Sequence, residues 1–192
     1  MPPVELEEYL SRRTLIVGEV NAGKSRLTQA VLHALCAQGY GSRTAVLDLA
    51  PEVPIHLAAP KGLAGVGGRL RPPAGCRVMY RWARPVPPRL TARTEAEALA
   101  LAERNRLAIE ALLAEMPWGE RDFLVLNDVS IYLQAGDADR LVARWPRIST
   151  VVANGYYGAR LGEGPLSRRE RREMEELMKR VDRVIRLSAP AQ

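Results

Sequence analysis

Residues 14 to 25, Thr-Leu-Ile-Val-Gly-Glu-Val-Asn-Ala-Gly-Lys-Ser, restrict the folds open to this chain more than any other stretch. Thr14 to Val17 is a short apolar run of strand type. Gly18 opens the pattern G-x-x-x-x-G-K-S, which closes at Gly23, Lys24 and Ser25. From Arg26 onward, Leu27, Ala30, Val31, Ala34 and Leu35 fall at helical spacing on one face. A strand, a glycine-bounded loop and a helix in this order can cradle a phosphate. Successive loop N–H groups wrap the anion, and the helix N-terminus adds partial positive charge. Gly18 and Gly23 permit backbone angles and close approaches that side chains would block. Lys24 is expected to reach the β- and γ-phosphates of a nucleotide, and the Ser25 hydroxyl to hold Mg2+. Glu19, Val20, Asn21, Ala22 and Arg26 complete the predicted nucleotide contacts. A chance match in a glycine turn would need neither the strand before it nor the helix after it.

This stretch resembles the phosphate loop (Walker A) of the P-loop NTPase superfamily. The resemblance implies an α/β fold of three layers, a mainly parallel sheet flanked by helices, that binds ATP or GTP with Mg2+. Two strand ends extend it. Arg43 to Leu49 reads as a buried strand with Asp48 near its carboxyl end, the edge where ligands sit in open α/β sheets. Asp-Leu-Ala-Pro-Glu is similar to a signature of the subgroup holding MinD-type ATPases, polynucleotide kinases and dethiobiotin synthetases, with Ala50 where a second acid is common. That resemblance implies that Asp48 places Mg2+ or an acceptor, with Glu52 as a further candidate. A turn aspartate ahead of Pro51 is the other reading.

Asp122 to Asp128 is an apolar strand ending in an acid, similar to the Walker B pattern. The pattern implies a buried strand beside the phosphate loop that delivers Asp128 to Mg2+ through water. Val129 follows where vigorous ATPases often place a glutamate, and Ser130 is a candidate γ-phosphate sensor. Ile148 to Ala153 reads as a fifth strand, and the loop after it, Asn154-Gly-Tyr-Tyr-Gly158, touches the base in many P-loop proteins. Asn154 is therefore a predicted nucleotide contact. Tyr156 or Tyr157 either stacks on a base or lies on the surface. Gly155 and Tyr157 stand where a guanine motif has lysine and aspartate. The order Gly-Lys-Ser-Arg, long helix, Leu-x-Leu-Asn-Asp and Val-Ala-Asn-Gly is also similar to adenosylcobinamide kinases.

The 192 residues read as a single domain, 1–192, with an insertion at 51–93 that differs in kind. Eight of the chain's 14 prolines fall there, and no Asp or Glu lies between Val53 and Thr94. Lys61, Arg69, Arg71, Arg77, Arg81, Arg84, Arg89 and Arg93 give that window +8, against +6 for the whole chain. Only three lysines occur among the 28 basic residues, Lys24, Lys61 and Lys179. The glycine-rich segment from Lys61 to Arg69 can close over an anion, so Lys61, Arg69 and Arg71 are candidate substrate-binding residues. Arg69 and Arg71 are candidates for an arginine that completes charge neutralisation. Cys76 to Trp82 reads as a half-exposed strand with Arg77 and Arg81 on one face, suited to a small anion or to single-stranded nucleic acid. A solvated, proline-stiffened loop is the third alternative.

The remaining expectations concern elements and environment. A short helix covers 4–11. Thr94-Glu-Ala-Glu97 is a capping box opening a helix to about Met116, with Leu101, Leu107, Ala108, Ile109 and Leu112 on its apolar face. Ser167-Arg-Arg-Glu170 is a second capping box, and the mixed charge after it reads as a solvated face. Val181 to Leu187 closes the sheet. No run approaches the ~20 apolar residues of a membrane span, and the acidic N-terminus does not read as a signal peptide. Cys36 and Cys76 read as buried free thiols in a reducing cytoplasm. The expected activity is that of a nucleoside triphosphatase or kinase-like phosphotransferase, catalysed by Lys24, Asp48 and Asp128. Its partners are a nucleoside triphosphate and an anionic substrate. A nucleotide-dependent switch that engages nucleic acid or an acidic protein is the alternative.

Overall fold

The computed structural model describes residues 4–53, 68–145 and 147–188. Six strands, β1 (Arg13–Gly18), β2 (Thr44–Asp48), β3 (Met79–Trp82), β4 (Phe123–Asn127), β5 (Thr150–Tyr156) and β6 (Arg183–Leu187), form one sheet in the order β3-β2-β4-β5-β1-β6. Every neighbouring pair is parallel. The helices among the described residues are α1 (Lys24–Ala37), α2 (Pro88–Thr91), α3 (Glu95–Ala114), α4 (Ser130–Leu133), α5 (Ala138–Val142) and α6 (Pro165–Met178). Parallel strands need crossovers, and the helices supply them while covering both faces of the sheet.

Strand alternation sends side chains to two separate cores. Leu15, Val17, Leu47, Leu124, Leu126 and Val151 meet Ile109 and Leu113 of α3, Tyr132 of α4, Leu141 of α5 and Met174 and Leu177 of α6. Ile16, Val46, Val125 and Val152 point the other way, onto Val31, Leu32 and Leu35 of α1. Each such aliphatic side chain, fully buried, contributes about 1.5–3 kcal/mol. The sheet edge is therefore set by burial on both faces, and all the strand carboxyl ends open on one side.

Several local expectations change. The leading helix is one 3-10 turn, Leu6–Glu8, with Leu6 and Tyr9 buried in the α1-side core. The insertion's strand starts at Met79, three residues late, and belongs to the main sheet as its edge. The predicted apolar face of α3 is rotated: Ala102, Asn105, Ile109 and Leu113 are buried, while Leu107 is 55% exposed. The cause is Asn105, whose amide clips both the N–H and the C=O of Val86 at 3.0 and 2.8 Å. Hydrophobic spacing cannot register a buried stripe centred on a polar residue. The second capping box also fails: α6 opens at Pro165 after an extended Gly164, with no side-chain cap. Proline tolerates the first helical position because its missing N–H has no intrahelical acceptor there.

Cys36 and Cys76 are not free thiols. They form a disulfide with Cα atoms 5.8 Å apart, tying the end of α1 to the segment before β3. Gly41 is required beside it, because a Cβ there would overlap the Cys76 sulfur. Forty residues separate the two cysteines in sequence, and only the return of the insertion across α1 brings them together. Among the described residues, no helix is long and apolar enough to cross a membrane.

Candidate functional site

The loop between β1 and α1 turns on left-handed backbone at Asn21 (φ 62°) and Gly23 (φ 90°). Gly18 is demanded for a different reason: a Cβ there would overlap the Leu187 carbonyl oxygen of the neighbouring β6. Gly23 caps α1, and the first bond of that helix runs from Leu27 N–H to Gly23 C=O at 2.9 Å. The N–H groups of Lys24, Ser25 and Arg26 thus precede any intrahelical acceptor. These three residues, with Val20, Asn21 and Gly23, line a cleft of about 310 Å³. The Lys24 ammonium folds back to donate to Glu19 C=O at 2.6 Å and lies 5.9 Å from the Tyr156 ring centroid. Burial lowers the Lys24 pKa, against the opposing pull of Asp128 and Glu19.

Glu19 and Ala22 shape the loop and do not line the cleft. Ala22 N–H closes a turn onto Glu19 C=O at 3.2 Å. The Glu19 carboxylate accepts from the N–H groups of Ala159 and Arg160, which clasps the loop to the segment after β5. Burial works against its charge, but these N–H donors and that of Val20 hold its pKa below the ordinary value.

Asp128 lies just past β4 with φ 58°, half-buried in the same cleft. The expected neighbour relation does not hold: β5 stands between β4 and β1. Asp128 reaches the cleft because its backbone is pinned across β5, with its N–H donating to Asn154 Oδ1 at 3.1 Å. Burial raises its pKa, while Ser130 Oγ, which donates to Oδ1, Lys24 and Arg89 moderate the shift. Ser130 begins α4, so it donates to this carboxylate from the first residue of a helix.

Asn154 is inside β5, not in the loop after it, and is buried. Its amide donates to Thr28 Oγ1 at 2.8 Å and to Asn127 Oδ1 at 2.9 Å. Asn127 donates in turn to Asp48 Oδ1 at 2.8 Å and to Gly68 C=O at 3.0 Å. Asp48, fully buried, also accepts from Ala50 N–H at 3.1 Å, Leu70 N–H at 2.7 Å and Tyr80 OH at 2.7 Å. A polar rail therefore crosses the strand ends from β3 to α1 beneath the cleft. It ties down the basic segment and occupies Asp48 with four donors. Burial and the Asp48 carboxylate push the Tyr80 pKa up.

Pro87, Pro88, Arg89 and Leu90, from the insertion's far end, line the same cleft. Arg89 makes a bidentate pair with Glu170 of α6, both bonds 3.0 Å, and a 3.1 Å bond to Ser167. Glu170 is buried, so the expectation of a solvated face fails at this residue. It also accepts from Gln134 at 2.8 Å. Burial raises its pKa against the pull of Arg89. Arg69 and Arg71 do not line the cleft. The Arg69 guanidinium lies 4.2 Å and that of Arg84 5.2 Å from the Trp82 ring centroid. Arg71 is anchored by its backbone to Gln29. Lys61 lies outside the described residues, and Glu52 is exposed off the cleft. Tyr156 lines the cleft, whereas Tyr157 donates to Glu175 at 2.9 Å outside it. Local sequence does not single out Arg89 or Glu170, since one falls in a broad basic window and the other in a run of mixed charge. Their pairing spans 81 residues and has no local signal.

No family model matches this chain, and no curated protein matches it. Among solved structures it is similar to the flagellar accessory protein FlaH from Methanocaldococcus jannaschii. That match has a TM-score of 0.56 at 13% identity and covers 97% of this chain and 77% of that one. A prototypical ATPase from the type III secretion system of pathogenic bacteria matches with a TM-score of 0.42 at 15% identity, covering 97% of this chain and 56% of that one. The likeness to FlaH shows the fold: a parallel α/β sheet flanked by helices.

Proposed function

We propose that this protein binds a nucleoside triphosphate, ATP or GTP, with Mg2+ and cleaves its γ-phosphoryl bond, water or an anionic acceptor taking the group. One observation carries the reading. The N-terminus of α1, with the N–H groups of Lys24, Ser25 and Arg26 unclaimed by the helix, shares one cleft with the Lys24 ammonium and the Asp128 carboxylate. The helix end and its N–H groups are suited to a β-phosphate. Lys24 exchanges Glu19 C=O for phosphate oxygens, a short side-chain swing, and its shallow burial strengthens that attraction. Ser25 and Asp128 offer hydroxyl and carboxylate oxygens, hard donors that fit Mg2+. Bound there, the ion would neutralise charge on the phosphate oxygens. Asp48, with all its donors internal, positions the cleft floor. Arg69 and Arg71 lie off the cleft, so an anionic acceptor would meet them only outside it.

The alternative reading, a nucleotide-dependent switch, has its own support. Val129 beside Asp128 is buried and carries no base to activate water, and Glu19 couples the phosphate loop directly to residues 159 and 160. Nucleotide titration by thermal shift, with phosphate release followed in parallel, separates the readings. Lys24→Ala is expected to abolish nucleotide-induced stabilisation. Unchanged stabilisation in that variant would sink the phosphate-loop assignment. Stabilisation without turnover, together with nucleic-acid binding that falls steeply with salt, would favour the switch.

A further inference from the structure

Arg89 is the cation of the cleft that no motif predicts, and its setting is built. It is carried on α2, whose entry is stiffened by Pro85, Pro87 and Pro88. Its guanidinium is held edge-on by both oxygens of Glu170, with side-chain exposures of only 18% and 3%. Gln134 and Ser167 lock that pair from either side. The same arginine lines the cleft that Val20, Asn21 and Gly23 to Arg26 also line. Lys24 and Arg89 both favour the charged form of Asp128, which lines the same cleft.

Resting on the nucleotide reading above, we infer that Arg89 is the residue by which this cleft distinguishes a triphosphate from a diphosphate, with Glu170 as the counter-ion that holds it in place. The helix N-terminus serves the β-phosphate, and Lys24 reaches the β- and γ-phosphates from the same loop. A third phosphate would extend toward Asp128, on which Arg89 acts, and so into the field of the guanidinium. There it competes with Glu170 for the same planar donors, which suit carboxylate and phosphate alike. A diphosphate does not extend that far and leaves the Arg89–Glu170 pair undisturbed. Arg69 and Arg84 cannot do this work, because they are drawn onto Trp82 outside the cleft. Arg89 is a catalytic residue in this assignment, and Glu170 a positioning residue acting through it.

The test measures dissociation constants for ADP and GDP and for the non-hydrolysable triphosphates AMPPNP and GMPPNP, with Mg2+, on the full chain. For Arg89→Ala the triphosphate analogue should weaken about tenfold or more, the loss of a charge-assisted contact, while the diphosphate stays within about twofold. Glu170→Gln keeps Arg89 and removes its counter-ion, so the triphosphate should tighten severalfold and the diphosphate should not change. Equal weakening of both nucleotides by Arg89→Ala, or no change in either variant, overturns the assignment to Arg89 and leaves the nucleotide site standing. If Arg89→Ala does not fold, the Glu170→Gln comparison decides alone. If the wild-type protein binds no nucleotide, both readings fall together.

Discussion

Replacing Asp48 tests whether the polar rail beneath the cleft is structural or catalytic. Asp48 is fully buried and accepts four hydrogen bonds, from Ala50 N–H, Asn127 Nδ2, Leu70 N–H and Tyr80 OH. Asp48→Ala removes all four acceptor contacts. Asn127 retains Gly68 C=O, and the half-buried Tyr80 hydroxyl can turn to water. The N–H groups of Ala50 and Leu70, on residues only 1% and 3% exposed, have no such relief. Two buried N–H groups left without acceptors cost about 1–3 kcal/mol each, and the vacated carboxylate volume adds to that. The expected loss is about 3–6 kcal/mol, a large part of the 5–15 kcal/mol typical of a folded domain. Asp48→Asn should lose about half as much, because one of its two polar ends must present a donor to donors.

Urea unfolding of the oxidised protein followed by circular dichroism gives the midpoint, with phosphate release measured on the folded variants. A structural rail predicts that both substitutions shift the midpoint and that turnover follows stability. If Asp48→Asn unfolds within about 0.5 kcal/mol of wild type but loses turnover, Asp48 acts on the acceptor and the argument from its four donors is wrong.

Two further outcomes can be stated. Replacing both Cys36 and Cys76 by serine opens a loop closed across 40 residues, which chain entropy values at about 4 kcal/mol; equal denaturation midpoints for oxidised and reduced wild-type protein would refute this. Glu170 has a folded-state pKa raised above its usual 4.5, chiefly by burial. As pH climbs from the unfolded value through the raised folded one, the unfolded state loses its proton first, so stability falls across that window. Unfolding midpoints of wild type relative to Glu170→Gln should therefore decline as pH rises above about 4.5, and a flat or rising difference would contradict the burial argument.

The element pattern was legible because it rests on short-range physics. Thr14 to Val17, Thr44 to Leu47 and Phe123 to Leu126 are apolar runs that only a strand buried on both faces can use. The turn at Gly18 to Ser25 was legible because glycine, lysine and serine at fixed spacing act within one turn of backbone. Errors arose where a polar side chain holds a long-range partner. Asn105 rotates α3 by clipping Val86, Glu170 is drawn inward by Arg89, and Asn154 is pulled into β5 to brace Asp128.

The sequence by itself determined a parallel α/β sheet, the turn of backbone at Gly18 to Ser25 and the concentration of positive charge between residues 53 and 94. Only the tertiary structure decided which of those charges enters the cleft. Arg69 and Arg84 are held on Trp82, Arg71 is anchored to α1 by its backbone, and Arg89 alone of these four lines the cleft. Tertiary structure also inserted β5 between β1 and β4 and joined Cys36 to Cys76. Local spacing governs which residues form a strand or a helix. The order of strands and the partner of a buried charge depend on which distant segments return to the same sheet edge, and no window of sequence contains that.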